Sequence, residues 1–257
     1  MANIGICIPS GDTWKAGTAV DVAVMIGTFM KAHSASGAHS CWLVNTQLSV
    51  LVKSRMMLVQ EAIKNGATHI LFIDSDARFP KDTLDRLLAH DLDFVACNAV
   101  RRALPCTPTS SNGPGNPIWT MPDSFGLEEV HDHVGLHTAL IKADVFKNLE
   151  QPWFMTPWLV RQQEYQGEDV WLCHRIIDKG YRIWIDHDLS QANRHCGNFD
   201  YSHQLAALGR AEYEAEAAAV KAKKEAEEKA DIAAVEAGDI PYVEPARSPA
   251  ILEYETL

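Results

Sequence analysis

The sequence holds no apolar run near the ~20 residues that a membrane-spanning helix needs, so no span is expected. Its start, MANIGICIPS, has neither the basic region nor the long apolar core of a secretory signal, and reads as a first strand. No two of the six cysteines (Cys7, Cys41, Cys97, Cys106, Cys173, Cys196) form a C-x-x-C pair. Several stand in apolar segments, and buried reduced thiols in a cytoplasmic protein are the simplest expectation. Positive charge is also scarce. Residues 1–205 carry 17 basic and 22 acidic side chains, a net of −5, and the other 52 residues carry 6 and 12, a net of −6. That balance gives no overall basic footprint for nucleic acid, although a local basic groove is compatible with it. Missing too is the glycine-rich phosphate loop of a nucleotidyltransferase, since the first apolar segment is followed by Ser10-Gly11-Asp12-Thr13-Trp14-Lys15.

Hydrophobic residues make up 47% of the 257, enough to fill the core of one large α/β domain or two small ones. The most informative stretch is residues 68–80, THILFIDSDARFP. Its apolar run, residues 70–73, is long enough for a buried strand and breaks into Asp74-Ser75-Asp76. Open α/β sheets take ligands at that edge, and hard cations take carboxylate oxygens. Either the two acids hold a divalent metal with a phosphorylated ligand, or they are solvated acids in a turn before a helix that Pro80 opens.

Periodicity predicts strands over 4–9, 41–45, 93–98 and 182–186, and helices over 18–31, 49–65 and 80–90. In the 49–65 helix Val52, Met56, Val59 and Ile63 form a stripe opposite Lys53, Gln60, Glu61 and Lys64. Arg55 falls inside the apolar arc, where a guanidinium must be paired or must reach an anion. Gly167-Glu168-Asp169 opens a further helix running to about residue 179. Acids suit a first helical turn through the helix dipole alone.

LFIDSDARFP resembles the metal-binding motif of glycosyltransferases with the GT-A fold, in the family 2-like group common in bacteria and their viruses. Gly167-Glu168-Asp169, followed by GYRIWID over 180–186, is similar to that family's acidic catalytic segment and the strand after it. VGLHTALIK over 134–142 resembles its strand through the site floor, and the resemblance covers about residues 3–200. It implies an α/β fold with a mixed, mostly parallel sheet flanked by helices. It also implies hexosyltransferase-like chemistry: a sugar moves from a nucleoside diphosphate sugar, UDP-sugar favoured, to an acceptor hydroxyl. Mn²⁺ or Mg²⁺ would be held by Asp74, Asp76 and His195, with His187 as second candidate for the histidine. Donor contacts would come from Pro9, Ser10, Asp12, Arg55, Asp74, Ser75, Asp76, Arg101 and Gly135; the adjacent Arg101 and Arg102, at a strand's C-terminal edge, either meet the sugar or diphosphate or are solvated surface charge. Asp169 would be the base of an inverting transfer, with Glu168 orienting the acceptor, while retaining enzymes share the fold and the motif. The acceptor classes are a polysaccharide, a protein or a modified DNA base. Two other readings stand beside this one: a nucleotidyltransferase, and a non-catalytic nucleotide- or partner-binding protein of the same fold.

Several segments carry a second reading. The Pro/Gly/Ser/Asn-rich loop 103–126 suits an acceptor-side flap, with Trp119 either a stacking surface for a sugar or a packing residue. His131 and His133 would form a zinc pair if they shared one strand face. The aromatics Trp153, Phe154, Trp158 and Tyr165 either cover the substrate or pack a connection. Residues 204–238, rich in Ala, Glu and Lys, predict a long helix with a narrow apolar seam, suited to packing on the domain, on a second copy as a homo-oligomer, or on hardly anything. The predicted organisation is thus a catalytic domain over 1–203, this helix, and an extended tail over 239–257.

Overall fold

A computed structural model describes residues 1–236 apart from 161, 198 and 199. The chain divides into two units, Met1–Arg210 and Ala211–Leu257. The first begins β1 (Ala2–Ser10), α1 (Ala16–His33), β2 (His39–Gln47), α2 (Leu51–Lys64), β3 (His69–Ile73), β4 (Ala77–Arg78), α3 (Thr83–Ala89) and β5 (Phe94–Ala96). After a long connection come β6 (Leu127–Val130), β7 (Thr138–Lys142), α4 (Ala143–Asn148) and the hairpin β8 (Trp158–Leu159) with β9 (Glu164–Tyr165). Then follow α5 (Glu168–Asp178), β10 (Ile183–Asp186), α6 (His187–Ala192), β11 (Arg194–Cys196), β12 (Asp200–Tyr201) and α7 (His203–Glu236).

The main sheet has the order β2-β1-β3-β7-β5-β10-β6. β1 pairs in parallel with β2 and β3, and β10 in parallel with β5. β7 runs against β3 and β5, and β6 against β10, so five of the seven strands share one direction. This is the mixed, mainly parallel sheet with flanking helices that the family resemblance implies.

Strand alternation sorts the core into two layers. Ile70 and Phe72 of β3 face α2, joining Leu58, Val59 and Ala62. Leu71 and Ile73 face the other way, joining Val22, Met25 and Phe29 of α1. By the same parity Asp74 continues the Phe72 side, toward α2. On α2 the fully buried face is Ser54, Arg55, Leu58, Val59 and Ala62, while Val52, Met56 and Ile63 lie at its edge. The buried stripe therefore centres closer to Arg55 than the hydrophobic pattern alone suggested.

A second, three-stranded sheet, β12-β11-β4, sits just past the acidic turn. Its antiparallel register puts His195 opposite Ala77. The 103–126 connection is pinned down: Asn98 Nδ2 donates to the Ile118 carbonyl (2.7 Å) and Thr120 Oγ1 (3.2 Å), and Cys106, Ser110, Ile118 and Thr120 are buried. Half-buried Trp119 packs on the cluster of Val100, Cys106, Tyr201 and Ala206, the packing alternative. Trp153 and Phe154 are core residues beside Phe72 and Phe146, whereas Trp158 and Tyr165 stay exposed on the hairpin.

In the second unit α7 continues, with Ala211, Ala215, Ala218 and Ala222 all exposed and Lys221 paired to Glu225 at 3.9 Å. The predicted end of the helix, residues 237–238, and the tail over 239–257 lie outside the described residues. Among the described residues no helix is long and apolar enough to cross a membrane.

Candidate active site

Asp74, Ser75 and Asp76 sit at the C-terminal end of β3, on the rim of a cleft of about 290 Å³ also lined by Pro9, Ser10, Gly11, Leu48, Ser49 and Leu51. Backbone bonds set the turn: Asp74 N donates to the His137 carbonyl (2.9 Å), Ala77 N to the Asp74 carbonyl (3.0 Å), and Lys15 N to the Ser75 carbonyl (2.9 Å). Cys196 N donates to the Asp76 carbonyl (2.8 Å), which fastens β11 to the same turn. The cleft thus gathers five of the predicted donor-binding residues. Ser10 Oγ is engaged with Asn45 and the Thr46 carbonyl (2.8 and 3.2 Å), so within the cleft it serves the β1–β2 edge. Asp12 is exposed and not among the lining residues.

One nitrogen each from His137 and His195 and one oxygen of Asp76 lie within 4.8 Å of one another, the only such group of three or more among the described residues. His195 Nδ1 meets the Val100 carbonyl at 2.8 Å. A carbonyl only accepts, so Nδ1 carries the proton and Nε2 faces Asp76 Oδ2 at 3.3 Å. Burial pulls His195 down, but the bonds to Asp76 and Val100 outweigh it and raise its pKa. Burial pushes Asp76 up, yet His195 and the Arg102 guanidinium at 2.8 Å leave it below the ordinary range. His137 is 3% exposed, its Nδ1 bonded with Thr138 Oγ1 (3.3 Å) and its Nε2 without a partner. Burial, and next the charge of His195, lower its pKa to about 3, so it is neutral at pH 7. A buried polar atom without a partner costs about 1–3 kcal/mol. A cation shared with Asp76 and His195 would satisfy it, so these residues fit a divalent metal. Asp74 stands outside this cluster.

Asp74 is engaged by Arg55, whose Nη2 donates to Asp74 Oδ1 at 2.9 Å while its Nε donates to Glu168 Oε1 at 3.1 Å. Arg55 is 3% exposed and lies over the Phe72 ring at 5.3 Å, with Nη1 unpaired. Burial pushes Asp74 up against the pull of Arg55, with Asp76 adding to the rise. Burial likewise raises Glu168, Arg55 opposes, and Asp169 and Asp74 add to it. One guanidinium therefore joins the acidic turn after β3 to the acidic start of α5.

Asp169 lies in the first turn of α5, where its Oδ1 accepts from Val170 N at 2.8 Å. That fold-back needs Gly167, because a Cβ there would meet Asp169 Oδ1 at 2.5 Å. A Cβ on Gly135 would stand 3.8 Å from Asp169 Oδ2 and only 2.9 Å from Thr109 Oγ1. Gly135 thus permits the 103–126 connection to close over the site beside Asp169.

Arg102, not its neighbour Arg101, reaches the site; Arg101 is exposed and bonds through its backbone to Thr107. His187 is spent elsewhere, on Thr120 Oγ1 and Glu128 Oε2, both at 3.0 Å. His131 and His133 fall beyond the end of β6, and His133 pairs with Asp132 at 2.9 Å, so no shared strand face forms. His137 is not among the ligands that the sequence predicts. Its signal was the β3–β7 register, which pairs Ile73 with Thr138 and so sets Asp74 beside His137.

No protein-family model matches the chain, and no curated protein sequence does either. The fold is shared with A197 from STIV, at TM-score 0.50 and 14% identity over 77% of this chain and 86% of that one. Two structures of S. aureus TarS 1–349, one in complex with UDP-GlcNAc, align at TM-score 0.41 and 15% identity over 73% of this chain. The chain spans 56% and 58% of those TarS chains.

Proposed function

We propose that this protein is a glycosyltransferase that moves a sugar from a nucleoside diphosphate sugar, a UDP-sugar being the favoured donor, to an acceptor hydroxyl. The observation that carries the reading is the Arg55 bridge. It ties Asp74, on the rim of the cleft, to Glu168, next to Asp169, across more than ninety residues of chain. Both acidic segments are those whose motifs resemble the GT-A family.

In this reading the Pro9–Gly11 and Leu48–Leu51 rims take the nucleoside, and Arg102 serves the diphosphate. A divalent cation held at Asp76 and His195 would act as a Lewis acid on charge gathering at the departing diphosphate. The bond from the anomeric carbon to the diphosphate oxygen breaks as the acceptor oxygen attacks, and the acceptor proton goes to Asp169. With Oδ1 tied to Val170 N, Oδ2 is the oxygen left to receive it. Such a base fits an inverting transfer, which the anomer of the product would test. Glu168, fixed by Arg55, orients the acceptor. The long α7 is the element available for a homo-oligomer.

A panel of nucleoside diphosphate sugars incubated with metal-supplied protein and candidate acceptors tests the reading. One donor should release its nucleoside diphosphate faster with acceptor than without. Release from no donor under any acceptor would contradict transfer.

A further inference from the structure

We infer that His137 is a direct metal ligand, so that the site binds its cation through two imidazoles and one carboxylate and discriminates against Mg²⁺. The inference rests on the reading of this cleft as a divalent-metal site, and goes beyond it in naming the donor set and its selectivity.

His137, His195 and Asp76 come from three separate pieces of the fold: the entry to β7, the short β11 and the turn after β3. Their donor atoms nevertheless gather within 4.8 Å. The two imidazole rings stand 4.7 Å apart at 66°, an edge-on arrangement that does not stack them. His195 is aimed by the Val100 carbonyl on its far nitrogen, the outer-shell device that orients metal-binding histidines. His137 is buried, and its Nε2 is left with no hydrogen-bond partner. The second carboxylate that would make an oxygen-rich set, Asp74, is held by Arg55. Imidazole nitrogen suits Zn²⁺, Co²⁺ and Fe²⁺, whereas Mg²⁺ takes oxygen ligands and keeps its waters. Three protein ligands also leave positions open for a diphosphate oxygen.

The test is equilibrium binding of Zn²⁺, Co²⁺, Mn²⁺ and Mg²⁺ to the metal-free full chain without donor, for wild type, His137→Ala and, as a control for surface histidines, His131→Ala. Wild type and His131→Ala should bind Zn²⁺ and Co²⁺ far more tightly than Mg²⁺. In His137→Ala, Zn²⁺ and Co²⁺ should weaken by more than the roughly 10–100-fold that loss of an outer-shell partner costs, with Mg²⁺ little changed. Because His137 is buried and its loss threatens folding, imidazole ¹⁵N resonances of wild type titrated with Zn²⁺ give a second readout. Signals of both His137 and His195 should move. If only His195 moves, or His137→Ala keeps wild-type Zn²⁺ affinity in a folded protein, the inference is overturned while the metal-assisted transferase reading stands. If no divalent ion binds with or without a nucleoside diphosphate, both the inference and the metal role fall.

Discussion

In the proposed function Asp169 and Asp76 divide the chemistry between them, and each is tested by one substitution. Asp169→Asn keeps the shape and the bond from Val170 N but removes the proton acceptor. Turnover should fall by about 10²–10⁴-fold while donor affinity holds. Steady-state transfer and donor titration on the same preparation measure both; near-wild-type transfer would remove Asp169 from the base role. At this scale Asp74, Asp76 and Asp169 stand out as candidates because they belong to short motifs that can be read locally, whereas His195 is a candidate only through the family resemblance. His137 is not marked as a ligand by the sequence, and Arg102 is marked only together with its neighbour Arg101. Their places beside the acidic turn depend on pairing between distant strands and on which of two adjacent arginines reaches Asp76, and neither has a local signature.

Arg55 belongs to the scale of the element. Helix α2 carries it on its buried face, and its position inside the apolar arc was legible from helical spacing alone. Its partners were not, because Asp74 and Glu168 reach it from a strand end and from a helix more than a hundred residues away. Removing the guanidinium leaves two recessed carboxylates without their cation. Breaking a buried ion pair from one side costs about 3–5 kcal/mol, and the partial exposure of Asp74 favours the lower end. Arg55→Ala should therefore lower the melting temperature by roughly 10 °C. A melt unchanged in Arg55→Ala would show that the bridge does not hold the two acidic segments. The limits of the elements follow the same pattern of legibility. Strands and helices with clear periodicity were found to within a few residues, while the three-stranded sheet β12-β11-β4 was not predicted, its strands being only two or three residues long.

For the whole molecule, the sheet and its flanking helices were legible because apolar runs alternate with amphipathic helices along most of the first unit. The 103–126 connection was not, since its order comes from buried tertiary bonds such as those of Asn98. One of the groups around that connection predicts a pH dependence. His203 is 3% exposed and its Nε2 meets the Asn98 carbonyl at 2.8 Å. Burial, against the pull of that carbonyl, lowers its pKa from 6.5 to about 4. Between those values the unfolded chain binds the proton and the native chain does not. Its contribution is therefore full above pH 6.5 and lost as the pH falls toward 4, amounting to ~3 kcal/mol. Thermal melts from pH 7 to pH 4.5 should fall more steeply for wild type than for His203→Gln. Equal slopes would contradict the neutral buried histidine.

The central claim is that the cleft beside Asp76 holds a nucleoside diphosphate sugar through a metal. The most direct measurement is the melting temperature of wild type and Asp76→Ala against a panel of such donors, with and without the divalent ion. Binding to the native state raises stability by mass action, about 2.7 kcal/mol at a hundredfold excess over Kd. The account predicts a rise with one donor that requires the metal and vanishes in Asp76→Ala. A rise that survives in that variant, or no rise with any donor, would contradict it.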